Sequence, residues 1–291
     1  MSTTDYARLQ ASNHASATHS VGIAAPSGTV PRSAEQVSTR YGSIVPAGGD
    51  TATTLNLQRR LQLIARAVAV SGQRILDCGC GAGEYVHALQ RLGADAWGVE
   101  FSPDKIASAR PEVTGRLFRG DLQDIGVAGS SVDVALLNEV LEHVPDDRRA
   151  LREVHRVLKP GGILVVFSPN RRYPFETHGA RWRGSTVRVA HYVPLIPYLP
   201  LGLSRKVLDF WARNYWPGEL RGLVQQAGFT IRQTDYVWQT FEGISHNQPR
   251  VIARLSPLLR KAVRVLEGIP GVRSLGASQL IIAVKGLDDG H

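Results

Sequence analysis

Short apolar segments alternate with amphipathic helical segments between residues 74 and 168, and this alternation limits the chain to a small set of folds. The apolar segments cover residues 74–78, 94–100, 116–118, 132–138 and 163–168, and helical periodicity covers 85–92, 103–110 and 146–158. Strands joined through helices are parallel, and the crossovers between them are right-handed. The sequence therefore predicts an α/β fold built on a doubly wound, mostly parallel sheet.

The flanking segments suggest how the rest of the chain is organised. Of the first 50 residues, 29 are Ala, Ser, Thr, Gly or Pro without any period, which predicts a flexible leader over 1–50. An amphipathic helix is expected between Leu55 and Val68, before the first strand. The alternation stops over 169–216, which is rich in Arg, Tyr, Trp and Pro, and then resumes. We expect one domain over 51–291 with an inserted lid at 169–216.

Charge and cysteine content narrow the possible partners. The net charge is +9, and the excess lies after residue 170, with 11 basic and 5 acidic residues in 171–250. Such a surplus fits nucleic acid, an acidic membrane surface or an anionic substrate. Cys78 and Cys80 are too few for a structural zinc site, so no metal is predicted. We find no signal peptide and no membrane span, and a cytoplasmic location is expected.

A glycine-rich turn follows the first predicted strand. It reads Asp77-Cys-Gly79-Cys-Gly81-Ala-Gly83 and leads into a helix. Glycines let the backbone bend sharply there and approach a ligand closely. The spacing is G-x-G-x-G, whereas a dinucleotide site has G-x-G-x-x-G, and Asp77 would repel a pyrophosphate. The turn thus favours a ligand that carries a cationic group over NAD.

Acidic residues also end the next two predicted strands. Glu100 ends the second strand, where a carboxylate can accept hydrogen bonds from both ribose hydroxyls, and Asp121 follows the third. Parallel strands place these ends on one edge of the sheet, where open α/β folds bind ligands. Together with Asp77 they indicate a nucleoside site.

With these motifs the sequence resembles the class I S-adenosylmethionine-dependent methyltransferases, in their small-molecule, type 11-like branch. The resemblance rests on I-L-D-C-G-C-G-A-G, G-V-E-F-S-P, R-G-D-L, L-N-E-V-L-E-H-V and L-K-P-G-G, between about Leu76 and Leu164. It implies a Rossmann-like fold whose last strand, here 280–285, is antiparallel. It also implies S-adenosylmethionine as the cofactor.

The resemblance further implies which residues hold that cofactor. Those at its amino-acid end would be Asp77, Gly79, Gly81 and Gly83. Glu100 would bind the ribose hydroxyls, and Phe101 would pack on the adenine. The adenine amino group would be bound by Asp121 beside the backbone N–H of Leu122. Asn138 and Glu139 would lie under the methionine part, near the sulfonium.

Two histidines are candidate catalytic groups. His143 follows the fourth strand, where it could act as a general base or orient the acceptor, although a hydrogen bond at a helix start is an alternative role. His178 lies in the insert and is the second candidate base. The aromatic residues of the insert and its arginines, Arg171 and Arg172 among them, suit a hydrophobic acceptor with an anionic part, or an acidic membrane surface. A bent lid that buries its own aromatic residues fits the same sequence.

We therefore predict methyl transfer from S-adenosylmethionine to a small-molecule or lipid-like acceptor, with O-, N- and C-methylation left open. A nucleic-acid methyltransferase is one alternative, but Asn138-Glu-Val-Leu141 lacks the Asn/Asp-Pro-Pro-aromatic element of amino-methylating enzymes. A non-catalytic cofactor-binding module is another alternative.

Overall fold

A computed structural model describes residues 51–187, 189, 193–240 and 250–287. The predicted leader over 1–50 lies outside the described residues.

Strands form one large sheet and one small one. In chain order they are β1 (Arg74–Cys78), β2 (Asp95–Glu100), β3 (Leu117–Arg119), β4 (Val132–Asn138), β5 (Leu158–Pro169), β6 (Ala180–Trp182), β7 (Leu208–Phe210), β8 (Phe229–Val237) and β9 (Ser278–Lys285). The large sheet has seven strands in the order β3-β2-β1-β4-β5-β9-β8. Its first five are parallel, and β9 runs antiparallel to both of its neighbours. The predicted Rossmann-like fold with an antiparallel last strand is confirmed.

Helices connect these strands. They are α1 (Thr51–Ala67), α2 (Glu84–Arg91), α3 (Pro103–Ala107), α4 (Pro111–Thr114), α5 (Asp147–Val157), α6 (Leu201–Val207), α7 (Pro217–Gln226) and α8 (Arg250–Glu267). The helix expected over 103–110 ends at Ala107, and a second short helix begins only at Pro111, because Arg110 is extended before that proline. The helix α5 ends at Val157, and the Lys-Pro-Gly-Gly run at 159–162 lies inside β5, which begins at Leu158.

The core lies on both faces of the large sheet. On one face, Leu151 and Val154 of α5 pack with Leu137 of β4. On the other, Leu61 of α1 packs with Leu136, the strand neighbour of Leu137. Burial on both faces explains why the parallel strands are apolar without alternation.

The insert has a small core of its own. β6 and β7 pair antiparallel, and Ala180, Val189 and Leu208 are buried together there. Its helices and strands are short in the described part of 169–216, as its prolines predict. Within the part of the chain that the structure describes, no helix is both long and apolar enough to cross a membrane.

Candidate cofactor and acceptor site

The glycine turn after β1 needs its glycines for two reasons. Gly79, Gly81 and Gly83 have φ angles of 83°, 58° and 84°, which side chains other than glycine rarely adopt. A Cβ atom on Gly79 would also lie 2.6 Å from each methyl group of Val140. The turn is therefore packed directly against the segment that follows β4.

Glu100 fixes the turn from the end of β2. Its carboxylate oxygens accept hydrogen bonds from the backbone N–H groups of Gly81 and Ser102, each at 2.9 Å. The Lys105 Nζ atom lies 3.8 Å from the same carboxylate. A carboxylate oxygen can accept more than one hydrogen bond, so Glu100 keeps capacity for a donor from a ligand.

Asp77 is a buried carboxyl at the end of β1. Its Oδ2 atom has no hydrogen-bond partner among the described residues. Burial, with a smaller contribution from Glu100, raises the pKa of Asp77 to about 8. A buried polar atom without a partner costs free energy, so this position fits a cationic or hydrogen-bond-donating group of a ligand. The residues of this edge are thus suited to the ammonium of S-adenosylmethionine.

The predicted adenine side lies at the ends of β2 and β3, which pair in register. Phe101 is partly buried directly after β2, and Leu122 is buried in the core. Asp121 accepts a hydrogen bond from the backbone N–H of Gln123 at 2.8 Å. The strand ends that carry Asp77, Glu100 and Asp121 are therefore neighbours at one edge, as the sequence indicated.

Arg60 of α1 holds the segment that follows β4. It is buried, and its guanidinium donates to Asn138 Oδ1 at 2.5 Å and to Glu139 Oε1 at 2.7 Å. It also contacts Ser278 Oγ at 2.8 Å and stands over the ring of Phe167 at 4.9 Å. Arg60 could not be identified from the sequence, because an amphipathic helical pattern does not show whether a given arginine is buried or exposed to solvent.

A cluster of carboxylates and histidines, which we call the β4 cluster, lies beside this segment. It consists of Glu139, Glu142, His143 and His178. The Nε2 atom of His178 is 3.4 Å from Glu142 Oε1 and 3.7 Å from Glu139 Oε2. The two imidazole rings meet edge to face, with centroids 5.2 Å apart. Both candidate histidines of the sequence analysis are thus brought together, although His178 comes from the insert.

Burial dominates the electrostatics of the β4 cluster. It raises the pKa of Glu142 well above its usual range, with a further contribution from Glu139. Burial also opposes ionisation of Glu139, but Arg60 and His178 outweigh it and the pKa of Glu139 is lowered. The pKa of His143 is lowered to about 4, chiefly by burial and then by His178. Glu139 has a φ of 55°, a strained conformation of the kind that recurs at functional sites.

The two arginines at the start of the insert differ in their surroundings. Arg171 is buried, donates to the carbonyl oxygens of Pro197 and Leu199 at 2.7 and 2.9 Å, and stands over the ring of Trp216. Arg172 is exposed. Arg171 thus ties the insert together from inside.

Comparison with known proteins identifies related sequences and folds. Residues 76–166 match the family model described as "Methyltransferase domain". Over 165 residues the chain is 33% identical to a ubiquinone biosynthesis O-methyltransferase of Cereibacter sphaeroides, a match that covers 54% of this chain and 60% of that protein. The chain therefore spans less than two thirds of that relative's length.

Solved structures share the fold. An S-adenosylmethionine-dependent methyltransferase from Mesorhizobium loti is 22% identical with a TM-score of 0.51, covering 81% of this chain and 98% of that one. The [4+2]-cyclase SpnF is also 22% identical, with a TM-score of 0.53 over 90% of this chain and 100% of its own. These similarities concern the fold alone.

The seven-stranded sheet with its glycine turn and acidic strand ends defines an S-adenosylmethionine-dependent methyltransferase fold. Residues 76–166 match a methyltransferase domain, and the chain shares its fold with S-adenosylmethionine-dependent methyltransferases, whose cofactor is S-adenosylmethionine.

Proposed function

We propose that the protein transfers a methyl group from S-adenosylmethionine to a hydroxyl oxygen of a small-molecule acceptor. The observation that carries the proposal is the adjacency of two groups of residues. Asp77 lies at the end of β1 and Glu100 at the end of its neighbour β2, and the β4 cluster follows β4, which pairs with β1 on its other side. Oxygen is chosen because the curated relative is named an O-methyltransferase.

The cofactor side would use the residues that the sequence pattern selected. Asp77 would receive the ammonium group beside the turn of Gly79, Gly81 and Gly83, and Glu100 would bind the ribose hydroxyls. The adenine would lie against Phe101 and between Asp121 and the Leu122 backbone, and the methionine part would lie above Asn138 and Glu139. Bound S-adenosylmethionine supplies a methyl group that its sulfonium already activates.

The acceptor side would use the β4 cluster. His143, His178 and Glu142 would receive the acceptor hydroxyl, so that its oxygen is aligned with the methyl carbon. The new oxygen–carbon bond forms as the carbon–sulfur bond breaks, the bonding electrons stay on sulfur, and the hydroxyl proton leaves to solvent. We infer that 169–216 is the acceptor lid, because it delivers His178 to this cluster.

The lid surface supports a lipid-like acceptor and peripheral membrane contact as the finer proposal. Trp182, Leu195 and Leu203 are large apolar side chains that remain exposed on it. Arg183 and Lys206 are exposed beside them in the sequence and give the surface a basic character. Apolar and basic side chains together favour anionic amphiphiles.

The test is transfer of an isotopically labelled methyl group to a panel of phenols, hydroxylated quinones and hydroxylated lipids. We expect a labelled methyl ether and S-adenosylhomocysteine in equal amounts for at least one hydroxyl acceptor. Label in amines or in nucleic acid instead would overturn the choice of oxygen or of a small molecule. Tight cofactor binding without any transfer would support a non-catalytic module.

A further inference from the structure

We propose that Glu142, His143 and His178 bind a divalent metal ion, which would hold the acceptor oxygen in the reaction proposed above. This inference rests on the proposed function only for the role of the ion. The site itself is argued from the side chains of the β4 cluster.

The three candidate ligand atoms already converge. One atom each from Glu142, His143 and His178 lie within 4.8 Å of one another. The closest measured pair, Glu142 Oε1 and His178 Nε2, is 3.4 Å apart. Bonds of about 2.0–2.2 Å from a central ion to nitrogen and carboxylate oxygen place neighbouring ligands at about such a separation. Small side-chain rotations therefore complete the site.

Two of these ligand atoms lack other partners. Glu142 has a fully buried side chain, and its Oε1 atom has no hydrogen-bond partner among the described residues. The Nδ1 atom of His143 is also buried without a hydrogen-bond partner there. Leaving such atoms unsatisfied is costly, and a cation between them would satisfy both at once.

Each ligand is held from behind by a second group. The His143 ring hydrogen-bonds with the backbone of Trp211, and because Nδ1 is unpartnered this contact uses its other nitrogen. The His178 Nδ1 atom lies 3.1 Å from Thr177 Oγ1, which leaves Nε2 facing the cluster. Ser168 Oγ donates to the second carboxylate oxygen of Glu142 at 3.3 Å. Outer contacts of this kind orient metal ligands in proteins.

Charge distinguishes Glu142 from its neighbour. Arg60 neutralises Glu139, whereas no lysine or arginine among the described residues forms an ion pair with the side chain of Glu142. A cation beside Glu142 would supply the missing positive charge. Glu139 would remain with Arg60 and Ser278, at the edge of the site.

The ligand types indicate which ions fit. Two imidazoles and one carboxylate suit Zn²⁺ and the similar ions Co²⁺ and Mn²⁺. Three protein ligands leave a fourth position open, as in catalytic sites. A hydroxyl oxygen bound there loses its proton more readily, because the ion stabilises the oxyanion. No metal was predicted from the two cysteines of the sequence; the three ligands proposed here belong to two separate segments that only the fold brings together.

Cobalt binding tests the site without reference to activity. The full chain, treated with a chelator and dialysed, is titrated with Co²⁺ while visible absorption is recorded. We expect one Co²⁺ per chain with the bands of a nitrogen and oxygen site. Glu142→Gln and His178→Gln should each weaken binding by at least about tenfold, since even outer-contact changes cost that much. His155→Gln is the matched control, because His155 packs on Phe229 instead, and it should bind as the wild type does.

Binding of S-adenosylhomocysteine by each variant checks that its fold is intact. The inference is overturned if Co²⁺ does not bind, if both ligand variants bind it as the wild type does, or if a sulfur-to-metal band assigns it to Cys78 or Cys80. Full methyl transfer after chelation would reject the role of the ion in the reaction and keep the proposed function. Co²⁺ binding by a chain that does not bind S-adenosylhomocysteine would keep the metal site and reject the proposed function.

Discussion

Asp77 and Glu100 end adjacent strands, and the buried carboxyl of Asp77 has a pKa of about 8 through burial and through its neighbour Glu100. At neutral pH Asp77 is therefore mostly protonated, while Glu100 holds the glycine turn. A ligand that places an ammonium group beside Asp77 reverses this balance, because a nearby cation favours the carboxylate.

Cofactor binding should therefore release a proton from Asp77. Calorimetry of S-adenosylhomocysteine binding at pH 7, in buffers with different ionisation enthalpies, should show release approaching one proton per site. The affinity for S-adenosylhomocysteine should rise as the pH increases towards 8, because a smaller fraction of Asp77 then carries the proton that binding must displace.

Two controls isolate this effect. 5′-Methylthioadenosine lacks the amino-acid end and should bind without proton release, and Asp77→Asn should abolish the release. Without ligand, Asp77 keeps its proton in the folded chain at pH values where the unfolded chain has already lost it, because folding raises its pKa to about 8. The contribution of Asp77 to the free energy of unfolding therefore decreases as the pH rises from the ordinary carboxyl range towards 8. That slope should be shallower in Asp77→Asn. Equal proton release by Asp77→Asn would contradict the assignment.

Gly79→Ala should destabilise the fold more than Gly81→Ala. A Cβ atom at Gly79 meets the Val140 methyl groups at 2.6 Å, whereas one at Gly81 has no atom within 4 Å and carries only the cost of its positive φ. Overpacking costs about 1–3 kcal/mol, and the left-handed conformation about 1–2 kcal/mol. Urea unfolding measures the difference. Val140→Ala should recover part of the loss in the Gly79→Ala background, and no recovery would show that the clash is not its cause.

Arg60→Met should destabilise the protein by about 3–5 kcal/mol, because it leaves Glu139 as a buried charge without its partner. Arg60→Met combined with Glu139→Gln should lose less than Arg60→Met alone. Arg66→Met is the control, since Arg66 is exposed on the same helix. Equal effects of the two arginine changes in chemical denaturation would mean that the ion pair contributes nothing.

Arg171→Ala should loosen the insert, because it removes two hydrogen bonds to the 197–199 backbone and the contact with Trp216. Limited proteolysis should then cut within 169–216 several times faster than in the wild type. Arg172→Ala removes an exposed neighbour and should leave the rate unchanged. Binding of S-adenosylhomocysteine should be the same in both. Identical cleavage of the two variants would show that Arg171 does not hold the insert together.

The placement of Asp77, the glycine turn and Glu100 on one edge of the sheet could be predicted from sequence because its signals are local. Asp77 and the glycines follow one strand directly, and Glu100 ends the next, so strand order alone places them on one edge. The parallel sheet was likewise predictable from the apolar segments, although β5 begins earlier than expected because Leu158 pairs with Val132.

The β4 cluster could not be predicted in the same way, because its contacts join distant parts of the chain. Arg60 reaches Glu139 from the first helix, and His178 reaches Glu142 from the insert. No periodicity or spacing in the sequence predicts such long-range contacts, since they depend on how α1 and the insert pack on the sheet. The sequence likewise grouped Arg171 with Arg172 as arginines suited to an anionic acceptor or an acidic membrane surface, whereas Arg171 is buried and bonds to the 197–199 backbone.

The glycine turn is expected to bind S-adenosylmethionine and not NAD, and calorimetric titration with S-adenosylhomocysteine and with NAD tests this directly. S-adenosylhomocysteine should bind at one site per chain, and Glu100→Ala should lose about 1–3 kcal/mol of that affinity, the cost of a missing charged partner. The matched variant Glu112→Ala, changed at an exposed carboxylate on α4, should bind normally. NAD should not bind. Binding of NAD without binding of S-adenosylhomocysteine would contradict the account.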